Sequence, residues 1–337
     1  APVPSSRQVL LAARPVGEVK ASDFEVVEVE VPEPSENEFV VELTHLSIDP
    51  AMRGWMNDVR SYVPPVGIGE VMRAGAVGRV TASRHDGFAE GELVRGIFGV
   101  TEHAVSDGVG VDKVVLGGAS EATHLGVLGL TGMTAYFGLL DVGRVQPGDT
   151  VLVSGAAGAV GSVVGQLAKI KDARAVGIAG GPEKCGMLVE ELGFDVALDY
   201  KSDDFRSDLR KHTPDGVDVF FDNVGGKILD LGLARLGRSA RVVICGAISQ
   251  YNNTGPAPGP SNYMMLLVAR ATMAGFLVFD YADRYPEAAA EMSKWLGEGR
   301  LKSIEDTVRG DVGSFPEMLA RLFAGRNTGK LVLELDR

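Results

Sequence analysis

The stretch that most constrains this chain runs from Asp149 to Lys171. Val151, Leu152 and Val153 form a short apolar run that enters a turn of Gly and Ala between Gly155 and Gly158. Val160, Val163, Val164, Leu167 and Ile170 then fall on one face of a helical pattern. Strand, glycine turn and helix, in that order, are the setting of a dinucleotide-binding fingerprint. Gly158 would let backbone approach a pyrophosphate, and Gly161 would let the helix pack closely on its strand. The N–H groups of the helix's first turn would then face the anion. One position departs from the usual Gly-x-Gly-x-x-Gly pattern, because its first Gly is Ala156.

The surrounding segments extend that unit into a sheet. Arg174–Ala179, Val196–Asp199, Val217–Asp222 and Arg241–Gly246 read as short apolar strands, and Gly275–Phe279 ends the series. Helical segments over Pro182–Leu192 and Phe205–His212, and a further one between the last two long strands, separate them. Strands alternating with helices imply a parallel, doubly wound α/β sheet whose ligand lies beyond the carboxyl ends of the strands. The first hundred residues lack that rhythm. Phe24–Val31, Phe39–Leu43, Val77–Thr81 and Glu92–Gly99 read as strands between turns, so this half is expected to be β-rich. A helix over about Leu125–Leu140 leads into the sheet, and another over Pro286–Gly297 leaves it. Ile304–Val308 and Lys330–Leu335 have no partner in the alternation and are expected to rejoin the β-rich half.

At 337 residues the chain is long enough for two domains. Its net charge of −12 argues against nucleic acid and anionic membrane surfaces as partners. The two cysteines, Cys185 and Cys245, have no spacing suited to a disulfide framework or a zinc knuckle. The first residues, Ala-Pro-Val-Pro-Ser-Ser-Arg, contain no apolar core of a signal peptide. Met264–Phe279 is apolar but interrupted by Arg270, and too short to span a bilayer comfortably. Together these features lead us to expect a cytoplasmic protein.

The second strand indicates the cofactor. An NAD-binding fold places an acid at its end to accept bonds from the ribose hydroxyls. Here Ala179 is followed by Gly180 and Gly181, with Lys184 in the next helical turn. A neutral strand end with a cation nearby suits a 2′-phosphate, so NADP is the expected cofactor.

Three blocks make the chain resemble a known family. They are Ala156–Gln166, Phe221-Asp222-Asn223-Val224-Gly225-Gly226 and Cys245–Asn252. All three are similar to the zinc-independent medium-chain dehydrogenase/reductases, and most of all to the group of prostaglandin reductases, plant double-bond reductases and bacterial curcumin reductases. Ile48–Met56, Gly132–Gly138 and Asn327–Lys330 resemble the same group, so the likeness spans nearly the whole chain. It implies a GroES-like β-rich domain (1–127), a Rossmann NADP-binding domain (128–299) and a return to the first domain (300–337), usually as a homodimer. It also implies contacts to the cofactor from Ala159, Val160, Gly161 and Ser162 at the pyrophosphate, and from Lys184 and Tyr200 at the 2′-phosphate end. Asn223 stands at the end of the fourth strand. Cys245, Gly246, Ala247, Ile248, Ser249, Gln250 and Tyr251, with Phe276, Leu277 and Val278, would line the nicotinamide side, and Asn327 would reach in from the tail.

No metal is expected. Zinc-dependent relatives carry a Gly-His-Glu motif and a Cys ligand, whereas this chain has Gly67-Ile68-Gly69-Glu70 and no Cys in its first half. His45, His85 and His103 are scattered. Without a Lewis acid, alkoxide formation lacks an obvious stabiliser. Reduction of a carbon–carbon double bond conjugated to a carbonyl asks only for hydride at the β-carbon, a hydrogen bond to the enolate and a proton. The expected activity is therefore NADPH-dependent reduction of α,β-unsaturated ketones and aldehydes. By the resemblance, Tyr251 and the nicotinamide ribose hydroxyl are the candidates to bond the enolate oxygen or deliver the proton, and a phenol fills the donor role better than that of acid. The alternatives are an NADPH quinone oxidoreductase of the same superfamily and a non-catalytic NADPH-binding protein. Asn252–Pro260 is either a lid or a plain connection. Ala51 replaces a Tyr of the family in a substrate wall, and Tyr62, Met133 and Tyr263 are further pocket candidates.

Overall fold

The first unit is built on a mixed, mostly antiparallel sheet, and near-continuous apolar strands build the second on a parallel one. The computed structural model describes residues 4–336. The chain divides into one unit made of the residues up to Leu125 with those from Glu305, and another of Gly126–Ile304.

In the first unit, β1 (Ser5–Leu11) pairs antiparallel with β2 (Phe24–Glu30). β3 (Phe39–Ser47) is followed by the short helix α1 (Ala51–Trp55), then β4 (Gly75–Ser83) and β5 (Leu93–Ile97). β6 (His103–Ser106) pairs with β3, and β7 (Asp112–Lys113) pairs with β5. Phe39, Leu46, Ile48, Met52 and Met56 are fully buried, so the start of α1 is anchored by apolar burial on the sheet side.

The second unit opens with α2 (Leu130–Phe137), followed by β8 (Thr150–Val153), α3 (Gly161–Ile170), β9 (Arg174–Ala179), α4 (Pro182–Glu190) and β10 (Val196–Asp199). It continues with α5 (Phe205–His212), β11 (Val217–Asp222), α6 (Gly226–Leu233), β12 (Leu236–Ile244), α7 (Met265–Ala269), β13 (Thr272–Gly275) and α8 (Tyr285–Gly297). Among the described residues the sheet order is β10-β9-β8-β11-β12-β13, every pair parallel. The direction of winding reverses between β8 and β11. Ligands of such sheets bind beyond the strand ends at that point.

The chain then returns to the first unit with β14 (Glu305–Gly310), α9 (Phe315–Phe323) and β15 (Lys330–Leu335). β15 lies antiparallel to β3 and parallel to β14, so the tail extends the first sheet to β14-β15-β3-β4-β5-β7.

Two sequence expectations are corrected. The helix expected from Leu125 begins only at Leu130, and it ends in a wider turn over Gly138–Val142. A Cβ on Gly132 would collide with the Val127 carbonyl, so the backbone doubles back tightly here in a way that helical spacing does not reveal. The last strand is Thr272–Gly275 instead of Gly275–Phe279. Pairing with β12 sets it, through Arg241 opposite Thr272 and Ile244 opposite Gly275. No helix among the described residues is long and apolar enough to cross a membrane.

Candidate functional site

Gly155, one residue before the usual motif begins, makes the turn after β8. Its φ of +57° lies in the left-handed region, where a side chain is disfavoured. Ala156 is then free to be Ala: its N–H bonds to Ile178 O at 3.0 Å, and its side chain is fully buried against β9. Gly161 has no such latitude. A Cβ there would collide with the Gly155 carbonyl oxygen and lie 2.8 Å from Ala156 Cα, so only Gly lets α3 start this close to its strand. Gly165, one turn on, meets the Phe194 ring in the same way.

This geometry leaves donors over. Gly158 N–H bonds to Gly155 O at 3.0 Å and Ser162 N–H to Gly158 O at 3.1 Å. The backbone N–H groups of Ala159, Val160 and Gly161 bond to no acceptor among the described residues. With the positive end of the α3 dipole behind them, they form a donor set matched to a pyrophosphate. Ser162 keeps only its side chain for a ligand.

The end of β9 is uncharged. Asp199, at the end of β10, turns its carboxylate inward and accepts N–H bonds from Gly181 and Lys201, both at 2.9 Å. Gly180 faces Tyr200 and Lys201; a Cβ on it would lie 3.0 Å from the Tyr200 hydroxyl and from Lys201 Cε. The Lys201 ammonium lies 5.9 Å from the centre of the Tyr200 ring. Lys184 is half-buried in the first turn of α4. Tyr200 and Lys201 thus meet at the strand end, and Lys201 is a cation the sequence reading missed. Its signal was adjacency to Tyr200.

At the switch point, a buried carboxylate fixes the loop. Asp222 is fully buried and accepts from Ser154 Oγ at 2.6 Å, Val224 N–H at 3.1 Å and Gly225 N–H at 3.0 Å. Burial pushes its carboxyl pKa above the usual range, and those hydrogen bonds oppose the shift. Asn223 donates from Nδ2 to Ser154 O at 2.8 Å and receives Ile248 N–H on its carbonyl at 3.2 Å. The end of β11 therefore holds both the β8 turn and the loop after β12. Asp222 is a second residue the sequence reading passed over.

Beyond β12, Cys245 and Gly246 donate to Asp222 O at 3.0 and 3.3 Å, and Ser249 N–H to Val224 O at 3.1 Å. Burial, reinforced by Asp222, pushes the Cys245 thiol up to about 12, so it stays protonated and inert. Ile248–Gln250 form one tight turn. The Tyr251 side chain folds back, and its hydroxyl oxygen accepts Ala247 N–H at 3.0 Å. Phe276, Leu277 and Val278 are half-buried just past β13; a Cβ on Gly138 would lie 2.7 Å from the Phe276 ring, which is why that segment packs there.

Asn327 belongs to the first unit, where it is buried and donates to Gly329 O at 3.0 Å. Met133 is buried core, and Tyr263 is exposed. The Tyr62 hydroxyl accepts the Trp55 indole N–H at 3.3 Å. Glu70, where zinc-dependent relatives have their motif, accepts Gly67 N–H at 2.8 Å and closes its own loop. Among the described residues no group of three or more His, Cys, Asp or Glu is placed to hold a metal ion.

Comparison with known proteins agrees with this arrangement. Residues 7–114 match a family model described as the N-terminal domain of oxidoreductase, and 159–294 one described as zinc-binding dehydrogenase. The second covers the dinucleotide-binding half, not the stretch around Glu70. The NADPH-dependent curcumin reductase of Escherichia coli (strain K12) is 40% identical over 98% of this chain and 97% of its own length. The NADP(+)-dependent 2-alkenal reductase of Nicotiana tabacum is 38% identical over 99% and 98%. The crystal structure of CurA from Vibrio vulnificus in complex with NADPH superposes with a TM-score of 0.93, at 42% identity, over 98% of this chain and 99% of that one.

Proposed function

Because the chain belongs to the zinc-independent branch of the medium-chain dehydrogenase/reductase family, we propose that it reduces the carbon–carbon double bond of α,β-unsaturated ketones and aldehydes with NADPH. The observation that carries this reading is the donor set at the start of α3 on the same sheet end as the Tyr251 hydroxyl. Ala159, Val160 and Gly161 would hold the pyrophosphate. Lys184, Tyr200 and Lys201 would meet the 2′-phosphate, where a carboxylate would repel it. Cys245–Tyr251 and Phe276–Val278 would form the nicotinamide side, and the assignment of Asn327 rests on resemblance alone.

NADPH, when bound, supplies the hydride. The chain's own task is to stabilise negative charge on the substrate's carbonyl oxygen. By accepting Ala247 N–H, the Tyr251 hydroxyl becomes a stronger donor through its own O–H. Tyr251→Phe is expected to lower kcat by about 10²-fold with little change in NADPH affinity, the usual effect of losing one donor to a developing oxyanion. An unchanged kcat would remove Tyr251 from the mechanism.

The function is tested by following NADPH absorbance with a simple enone, an alkenal, a quinone and no acceptor. Turnover of the enone and alkenal but not the quinone supports the reading. Quinone turnover alone would favour the quinone oxidoreductase. Tight NADPH binding with no turnover of any acceptor would leave only a binding protein.

We further infer a homodimer working in the cytoplasm. All four residues of β13 are exposed, and among the described residues it pairs on one side only. Beside it, Leu267 and Val268 of α7 are 68% and 58% exposed. An apolar sheet edge of this kind invites a second copy. Light scattering after size exclusion is expected to give twice the chain mass, and Met273→Lys with Leu267→Glu to give the monomer. A wild-type monomer at micromolar concentration would contradict this.

A further inference from the structure

Asn252 directly follows Tyr251, in a turn whose other members satisfy one another. Gln250 N–H bonds to Ala247 O at 2.8 Å, and Asn253 N–H to Gln250 O at 3.1 Å. Asn253 Nδ2 bonds to Gln250 Oε1 at 2.8 Å. Asn252 stands outside this pattern. Its side-chain Oδ1 is buried and accepts no hydrogen bond among the described residues. Buried polar atoms are nearly always paired, so an orphaned acceptor beside a functional group marks the place of a donor that a ligand brings.

The chemistry of that donor can be narrowed. An amide oxygen only accepts, and it needs an N–H or O–H. The reactive group of an α,β-unsaturated carbonyl carries neither. The adenosine phosphates belong at the ends of β8 and β9, where the turn donors and Lys201 stand. The nicotinamide nucleoside carries both kinds of donor, in its carboxamide and its ribose hydroxyls. We propose that Asn252 Oδ1 accepts a hydrogen bond from the nicotinamide nucleoside of NADPH and so fixes the reacting ring relative to Tyr251. This rests on the reading above, in which the loop after β12 is the nicotinamide side.

The test compares wild type, Asn252→Leu and Asn252→Ala. Each is melted without ligand and titrated calorimetrically with NADPH and with 2′,5′-ADP, which lacks the nicotinamide half. Because the orphaned acceptor destabilises the ligand-free protein, Asn252→Leu is expected to melt at or above the wild-type temperature. Its NADPH Kd is expected to rise about tenfold, the size of one neutral hydrogen bond, while its 2′,5′-ADP Kd is unchanged. Asn252→Ala should show the same split in binding. Unchanged NADPH affinity in both variants would overturn the proposal, as would equal weakening for both ligands. If the wild type bound NADPH no more tightly than 2′,5′-ADP, the assignment of the loop itself would fail, an outcome distinct from the other two.

Discussion

Gly161→Ala is expected to abolish productive NADPH binding, raising Kd by about 10²- to 10⁴-fold. The new Cβ collides with the Gly155 carbonyl and crowds Ala156 Cα, both backbone atoms of the turn itself. A flexible side chain could swing away, but these atoms cannot move without moving the turn. Moving it displaces the N–H groups of Ala159, Val160 and Gly161 together. Hydrogen bonds to a charged group contribute about 1.5–3 kcal/mol each, so misplacing two of them accounts for the loss. Ala156→Gly is the control, because its N–H is already bonded to Ile178 O and its Cβ packs on β9; it is expected to leave Kd within a few fold. Calorimetric titration reads both. Wild-type affinity in Gly161→Ala would mean that the turn does not hold the pyrophosphate.

Lys330→Met is expected to lower the melting temperature of the first unit by roughly 10 °C. The Lys330 side chain is 3% exposed, and its ammonium donates to Ile48 O at 2.9 Å and Asp49 Oδ1 at 3.1 Å. Asp49 Oδ2 also accepts from Ser47 Oγ at 2.6 Å. One cation therefore ties β15 to the turn between β3 and α1. Removing the ammonium leaves the partly exposed Asp49 carboxylate and the Ile48 carbonyl without it, at a cost of about 3 kcal/mol, the lower end for buried pairs, which corresponds to a shift of about that size in melting temperature. Lys330→Met combined with Asp49→Asn is expected to recover part of the loss, since no charge is then stranded. Calorimetric melting of the full chain checks this. A Lys330→Met transition within 2 °C of wild type would show that the pair contributes little.

The parts of this molecule legible in the sequence were those that local chemistry determines. The β8 turn and α3 announce themselves because an apolar run, a glycine turn and a helical stripe are contiguous. The parallel sheet follows from repetition of that unit. The last strand was misplaced by three residues for the converse reason. Phe276–Phe279 is the more apolar run, but pairing with β12 selects Thr272–Gly275. α9, amphipathic with Pro316 in its first turn, was overlooked although its signal was present.

The site divides along the same line. Lys184, Gly158 and Gly161 could be named from spacing, and Ala159, Val160 and Ser162 from the resemblance. Lys330 and Asp49 are 281 positions apart, and Ser154 and Asp222 are 68 apart. Such partners meet only once the sheets have formed, and no periodicity announces them. Asn252 illustrates a third case. In the sequence it is one polar residue among several in a loop, and what distinguishes it is that its buried oxygen has no partner among the described residues.

In the reaction proposed for this chain, hydride passes from NADPH to the β-carbon of a conjugated carbonyl compound. The most direct measurement uses NADPH deuterated at the reactive position of the nicotinamide, a simple enone and analysis of the product by nuclear magnetic resonance. The expected product is the saturated ketone with deuterium on its β-carbon. Deuterium on the carbonyl carbon of an allylic alcohol, or recovery of unlabelled enone from enzyme shown to bind NADPH, would contradict it.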